Sequence, residues 1–224
     1  MRKKIGVLHA HHSNIAPIEQ ALADMDVDLL HFVDPGLMCR VTSDFAFSDA
    51  DAGAWVKRQV EWMAAAQVDG ILLTCTTYTA LLREEGLDVT VPIVKIDEPF
   101  FEVICRKEEP QLLLFSNPAT VEGTMDRLSR YARRAGKTPQ VETRLIDQAF
   151  SLVMRGKKEA AHRVTVDYLD NLLESPADRS KPISVAQLSL FEAARDAGSR
   201  HGISIGEPLS PLAVYLKRML TSKA

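Results

Sequence analysis

The sequence predicts an α/β protein with mainly parallel sheets, divided into two αβ lobes. Three observations predict this class. Short β-rich runs bounded by turn residues alternate with segments of helical period. Strands separated by helices of this length need crossover connections, which pair strands in parallel. The pattern then restarts halfway, after DEPFFEVICRKEEP, with a second αβ group of similar content.

In chain order the strand-like runs are KIGVLHA, DLLHFV, GILLTC, PIVKI, QLLLFS, VETRLI and PISVAQL. Between them APIEQALADM, DAGAWVKRQVEWMAAAQ and TVEGTMDRLSRYARRAG have helical spacing. Asn117-Pro118-Ala119-Thr120 reads as a helix start, and Gly136 and Gly156 read as helix stops. FFEVICR is read as helical with Cys105 in the core, whereas DPGLMCRV, which carries Cys39, is read as a loop. The expected lobes are residues 1–98, completed by a C-terminal helix over 208–224, and residues 99–207.

A chain of 224 residues is long enough to bury one large core or two small ones without disulfide support. With 46% hydrophobic and 25% charged residues and a formal net charge of −3, its composition is that of a globular protein. Nucleic acid and membrane are therefore not expected partners, and the runs KKEAAHR and RLSRYARR read as solvated helix faces. The opening MRKKIGVLHAHH turns polar too soon for a secretory h-region, and no window approaches the ~18 apolar residues of a membrane span. A cytoplasmic location is expected. A homodimer is expected only from the general habit of soluble enzymes.

Three cysteines, Cys39, Cys75 and Cys105, lie far apart and outside any CxxC or Cys/His ligand spacing. Neither a disulfide framework nor a structural zinc site is expected, and the thiols should be reduced.

In open α/β sheets ligands bind beyond the carboxyl ends of strands, so the loops after KIGVLHA, GILLTC, LLLFS and ISVAQL are the ones to search. The first contains His9, His11 and His12, which lack the HxxxH or carboxylate partner of a metal motif; no metal is expected. Ser13 and Asn14 in the same loop suit either a helix start or a substrate contact. In the second, Cys75 ends a strand and Thr76, Thr77 and Tyr78 enter a helix. A thiol there would lie beside free backbone N–H groups and the positive end of a helix dipole, a setting that lowers thiol pKa and binds carboxylates. The competing reading is a small buried residue, since free Cys is among the most buried types.

The stretch DGILLTCTTYTAL resembles the first cysteine motif of the aspartate/glutamate racemase superfamily, a strand ending in Cys followed by Asn, Ser or Thr and then Thr. KIGVLHA with its polar turn, DEP after the fourth strand, LFSNPATV opening the second lobe and the QAF helix ending in RGKK resemble that superfamily in the same order. The resemblance implies two pseudo-symmetric αβ lobes, an inter-lobe cleft, and proton transfer without metal or organic cofactor. It also implies one cysteine per lobe, acting on opposite faces of a small carboxylic acid.

The second motif of such racemases is Gly-Cys-Thr-His, and here ISVAQLSL stands in its place. Gln187 takes the position of the second cysteine, Leu188 that of the threonine and Ser189 that of the histidine. Family members with Ala-Gln-x-Ser at this strand end form a subgroup that this chain resembles. Gln is no general base near neutral pH, so two-base racemisation by a cysteine pair is not expected. Cys39 is the first alternative source of a second thiol, although an exposed or packed structural cysteine is the favoured reading there.

The expected enzyme is thus a cofactor-independent isomerase of the racemase superfamily that acts through Cys75. Ser13, Asn14, Thr76 and Thr77 would form a carboxylate pocket, with Gln187 and Ser189 on the opposite wall. One thiol permits one-sided proton transfer, decarboxylation, or cis–trans isomerisation of an unsaturated diacid by thiolate addition. The alternative outside enzymology is a carboxylate-binding module without turnover. Asp97 and Glu98 read as structural residues at the seam.

Overall fold

The computed structural model describes residues 2–221; Met1 and the last three residues of the expected C-terminal helix lie outside the described residues. The fold is α/β, with two parallel sheets and helices between the strands. The chain divides into two compact units, one formed by residues up to Pro99 with the segment from Leu212 onward, the other by Phe100–Pro211.

The first unit contains β1 (Lys3–His9), α1 (Ile15–Ala21), β2 (Val27–Val33), α2 (Pro35–Ser43), α3 (Asp49–Ala65), β3 (Gly70–Leu73), α4 (Thr76–Leu81) and β4 (Ile93–Lys95). Its strands are ordered β2-β1-β3-β4 and are parallel throughout. Every residue of β3 is buried, as expected for a strand covered on both faces. Full burial of each Ile or Leu contributes about 1.5–3 kcal/mol relative to exposure. Leu8, Ile71 and Leu73 pack with Val56, Val60 and Met63 of α3 and with Tyr78 of α4. Helix α3 starts at a capping box in which Ser48 and Asp51 bond each other's backbone N–H. A Cβ at Gly53 would lie 3.1 Å from the Leu81 carbonyl, so this glycine lets α3 pass close to the end of α4.

The chain passes through α5 (Glu98–Arg106) into the second unit, which holds β5 (Gln111–Phe115), α6 (Val121–Arg134), β6 (Val141–Leu145), α7 (Ala149–Met154), α8 (Lys158–Glu174), β7 (Ile183–Val185) and α9 (Phe191–His201). Helix α10 (Leu209–Thr221) then leads back to the first unit. The strand order is β6-β5-β7, again parallel. Alternation along the fully buried β5 divides the core in two. Leu112 and Leu114 pack toward α8 and α9, and Leu113 and Phe115 toward α5 and α6.

The predicted helix stops occur where φ is positive, +64° at Gly136 and +72° at Gly156. The predicted start at Asn117 is a cap: its side chain accepts from Ala119 N–H, and a 3-10 turn over Pro118–Thr120 leads into α6. One expectation is corrected. Cys39 lies within α2, not in a loop, because the Asp34 carboxylate caps Gly36 and Leu37 N–H and Pro35 occupies the first turn.

The two sheets are built alike at the carboxyl ends of their strands. Leu8 faces Leu73 in the β1–β3 ladder, and Leu114 faces Val185 in the β5–β7 ladder. Beyond each pair one residue donates back across the ladder, Thr74 N–H to Leu8 O and Ala186 N–H to Leu114 O. On the other side, Asp34 N–H bonds His9 O and Ile146 N–H bonds Phe115 O. The ladders thus match Cys75 with Gln187, Thr74 with Ala186, His9 with Phe115, and His11 with Asn117.

Candidate active site

In the first unit the strand ends carry polar and nucleophilic side chains. Cys75 is a half-buried cysteine outside any disulfide, at the N-cap position of α4, and its side chain makes no capping bond. Thr76 and Thr77 form the first turn of α4 and are half-buried. The helix is anchored by Tyr78, fully buried, whose hydroxyl donates to the Asp34 carbonyl at 2.6 Å. Burial pushes the Tyr78 phenol far above its ordinary pKa, so it acts as a fixed donor.

Asp34 is itself a junction. Its carboxylate accepts from Gly36 N–H at 2.8 Å, from Trp55 Nε1 at 2.9 Å and from Gln59 Nε2. Partial burial opposes its ionisation, but the bonds from Trp55, Gln59 and the α2 backbone prevail and hold its pKa below the usual carboxylate range.

At the end of β1, His11 caps the 3-10 turn His12–Asn14: its Nδ1 accepts from Ser13 N–H at 3.2 Å and lies 2.8 Å from Ser13 Oγ. A nitrogen that accepts from a backbone N–H carries no proton, so the Ser13 hydroxyl donates to it. The cap is therefore His11, while Asn14, at the N-cap position of α1, makes no side-chain capping bond.

Behind these loops runs a buried series that local reading of the sequence missed. His9, wholly buried, places Nδ1 3.0 Å from Thr74 Oγ1 and Nε2 2.9 Å from His31 Nδ1. Thr74 Oγ1 also lies 3.0 Å from the Leu8 carbonyl, and His31 Nε2 lies 3.6 Å from a Glu19 carboxylate oxygen. Burial, aided by the neighbouring His31, lowers the His9 pKa to about 4, so the ring is neutral near pH 7. Its signal in the sequence was a polar residue two positions after Val7, on a strand face otherwise set for burial.

In the second unit the matching position is closed. Gln187 Oε1 accepts from Ser116 N–H at 2.6 Å, Ser116 Oγ at 2.9 Å and Asn117 N–H at 3.0 Å, and its Nε2 donates to Thr120 Oγ1 at 3.3 Å. The amide thus fills the set of donors at the end of β5. Ser189 lies exposed in a 3-10 turn over Leu188–Leu190. Ser116, Asn117 and Thr120 also belong to this cluster; the sequence pointed to Asn117 and Thr120 only as a helix start and not to Ser116.

The other thiols differ. Cys39 is exposed on α2, and Cys105 is buried in α5, where burial raises its pKa. Asp97 is buried and Glu98 exposed. Among the described residues no group of three or more His, Cys, Asp or Glu side chains is arranged to hold a metal ion, and no helix is long and apolar enough to cross a membrane.

No protein-family model and no curated protein matches the sequence. Solved structures do match. A glutamate racemase from Bacillus anthracis superposes with a TM-score of 0.71 at 12% identity, covering 99% of this chain and 83% of that one. An aspartate racemase from Picrophilus torridus gives 0.68 at 14% identity, covering 97% and 94%. An allantoin racemase from Pseudomonas fluorescens gives 0.67 at 17% identity, covering 98% and 92%. At these identities the likeness is one of fold: the chain shares the two-sheet α/β fold of these glutamate, aspartate and allantoin racemases.

Proposed function

We propose that this chain, built on the aspartate/glutamate racemase fold, is a cofactor-independent isomerase-type enzyme that acts on a small carboxylic acid through the Cys75 thiol. The observation that carries the proposal is the chemistry at matching strand ends, a half-buried cysteine outside any disulfide at Cys75 and an amide at Gln187 whose oxygen accepts from Ser116 and Asn117. Solved structures of this fold include racemases of glutamate, aspartate and allantoin, which favours a small substrate of that kind.

Thiolate Cys75 is the base. It removes the proton α to the carboxylate, and the electron pair moves into the carboxylate to form an enediolate. Thr76 and Thr77, with the first N–H groups of α4, are the donors for that developing charge. Ser13 and Asn14 stand at the end of the adjacent strand β1, where they would bind a second polar group of the substrate.

The matching strand end of the second unit supplies no base in this reading. Gln187 neither accepts nor delivers a proton near pH 7, and its carbonyl oxygen already accepts three hydrogen bonds. The proton therefore returns from the face it left. The same single thiol would serve two relatives of this reaction. It can protonate an enediolate after loss of CO₂, or add to an activated double bond, allow rotation and leave again.

The test is NMR in D₂O with amino acids, malonates and unsaturated diacids. Deuterium entering the α-carbon with retained configuration is the expected result; CO₂ loss or a cis–trans change identifies the corresponding variant of the same chemistry. Racemisation would refute the one-sided reading and turn attention to Cys39. Silence across the panel, together with ligand-induced stabilisation, would replace the enzyme by a carboxylate-binding module.

A further inference from the structure

Glu19, His31, His9 and Thr74 lie in series, from exposed α1 through β2 and β1 to the residue before Cys75. The fold does not require such a series. At the matching strand ends of the second unit stand Phe115 for His9, Ala186 for Thr74 and, by the β5–β6 register, Thr143 for His31. Both Phe115 and Ala186 are buried apolar residues in one cluster. The first unit gives up that apolar burial for a line of hydrogen bonds.

Counting protons leaves the series two arrangements. The Thr74 hydroxyl has one proton and two acceptors at 3.0 Å, the Leu8 carbonyl and His9 Nδ1. If it donates to His9, the neutral His9 ring carries its proton on Nε2 and donates to His31 Nδ1. His31 then carries its proton on Nε2, directed at Glu19. If it donates to Leu8, His9 Nδ1 must donate to Thr74, and bare His9 Nε2 must accept from His31 Nδ1. A neutral His31 would then turn a lone pair toward the Glu19 carboxylate, so this second arrangement belongs to the His31 imidazolium. Taking up one proton at His31 therefore reverses the bonds on both sides of His9.

The two arrangements hold the end of β3 differently. Thr74 N–H bonds the Leu8 carbonyl at 3.1 Å in either case. With His31 protonated the Thr74 hydroxyl bonds the same carbonyl, and two bonds tie down the residue before Cys75. With His31 neutral only one bond reaches that carbonyl, and the Thr74 hydroxyl is held by His9 Nδ1 instead.

We infer that Thr74 is a positioning residue for the Cys75 thiol, and that His31, acting through His9, sets which way its hydroxyl points. This rests on the reading of Cys75 as the reacting thiol. The titratable groups facing His31 are His9 from β1 and Glu19 from α1. Lys3, Lys4 and Asp28 stand at the opposite ends of β1 and β2, where Lys3 bonds Asp69 and Arg2 bonds Asp28.

Two measurements test this. The first is ¹⁵N NMR of the ring nitrogens in the unmodified protein across pH. His9 should carry its proton on Nε2 when His31 is neutral and move it to Nδ1 as His31 takes up a proton. A His9 that keeps one tautomer through that titration overturns the relay.

The second is the pH profile of Cys75 alkylation, which needs no substrate. The profile should show a step that follows His31 titration in addition to thiol ionisation. Thr74→Val should lose that step and Thr74→Ser should keep it. A Thr74→Val profile identical to the parent's overturns the positioning role even where His9 switches tautomer. Turnover that survives in a Cys75→Ser variant would sink the proposed enzyme separately, since neither measurement here reads turnover.

Discussion

The end of β3 and the end of β7 occupy the same place in their sheets and do different things. Each strand flanks the first strand of its unit, and each is followed by an N–H donated back across the ladder, from Thr74 or Ala186. Each next residue stands at a helical N-cap position without capping through its own side chain. Yet Cys75 is a half-buried cysteine outside any disulfide that follows the hydrogen-bonded pair Thr74 and His9, whereas Gln187 directs its amide to Ser116, Asn117 and Thr120. Backbone pairing fixes where a side chain stands, and the side chains within reach decide whether it can react.

The largest expected effect breaks the first half of this comparison. Cys75→Ser should retain the far-UV circular dichroism of the parent and lose turnover by about a thousandfold, the middle of the range that a general base supplies. Activity near the parent level would remove Cys75 from the mechanism.

Gln187→Ala attacks the other half. It leaves the Ser116 and Asn117 N–H groups without their acceptor, so a loss of ~1–3 kcal/mol in unfolding free energy is expected, read as a lower urea midpoint. An unchanged midpoint would mean that the amide is not a structural brace.

A subtler test uses acid. His9 ionises at about pH 4 in the folded protein against the ordinary 6.5, so on acidification the unfolded chain binds the proton first. Its contribution to stability is complete above about pH 6.5, declines from there to about pH 4 and is flat below. Replacing His9 and Thr74 by Phe and Ala, the pair at the matching strand ends of the second unit, should flatten that part of the stability curve. An unaltered slope in chemical denaturation between these limits would contradict a neutral buried His9.

The smallest effect concerns the support of α4. Tyr78→Phe removes the hydroxyl from the Asp34 carbonyl but keeps the ring in the core, so ~1 kcal/mol should be lost. Thermal unfolding at fixed pH checks it.

Much of this was legible in the sequence. The seven strand runs, the crossovers and the stops at Gly136 and Gly156 follow from apolar period and backbone preference, which act over a few residues. The cysteine at a strand end was visible in the same way, whereas Gln187 in place of a second cysteine came only from the family resemblance. Asp34-Pro35-Gly36 was misread because Asp and Pro start helices and also make turns with a following Gly, so composition alone leaves both open. Ser13 and Asn14 were the favoured caps by residue type, but the cap fell to His11, whose ring reaches Ser13 N–H after the 3-10 turn forms.

The sequence by itself determined the order of elements, the parallel pairing and the strand-end thiol, because each is a property of neighbouring residues. Only the tertiary structure decided the wiring around them. Thr74 meets His9 across 65 residues, His9 meets His31 across 22, and Gln187 meets Ser116 across 71. The direction of a hydrogen bond depends on a partner brought close by the sheet, and no local period records which partner that will be.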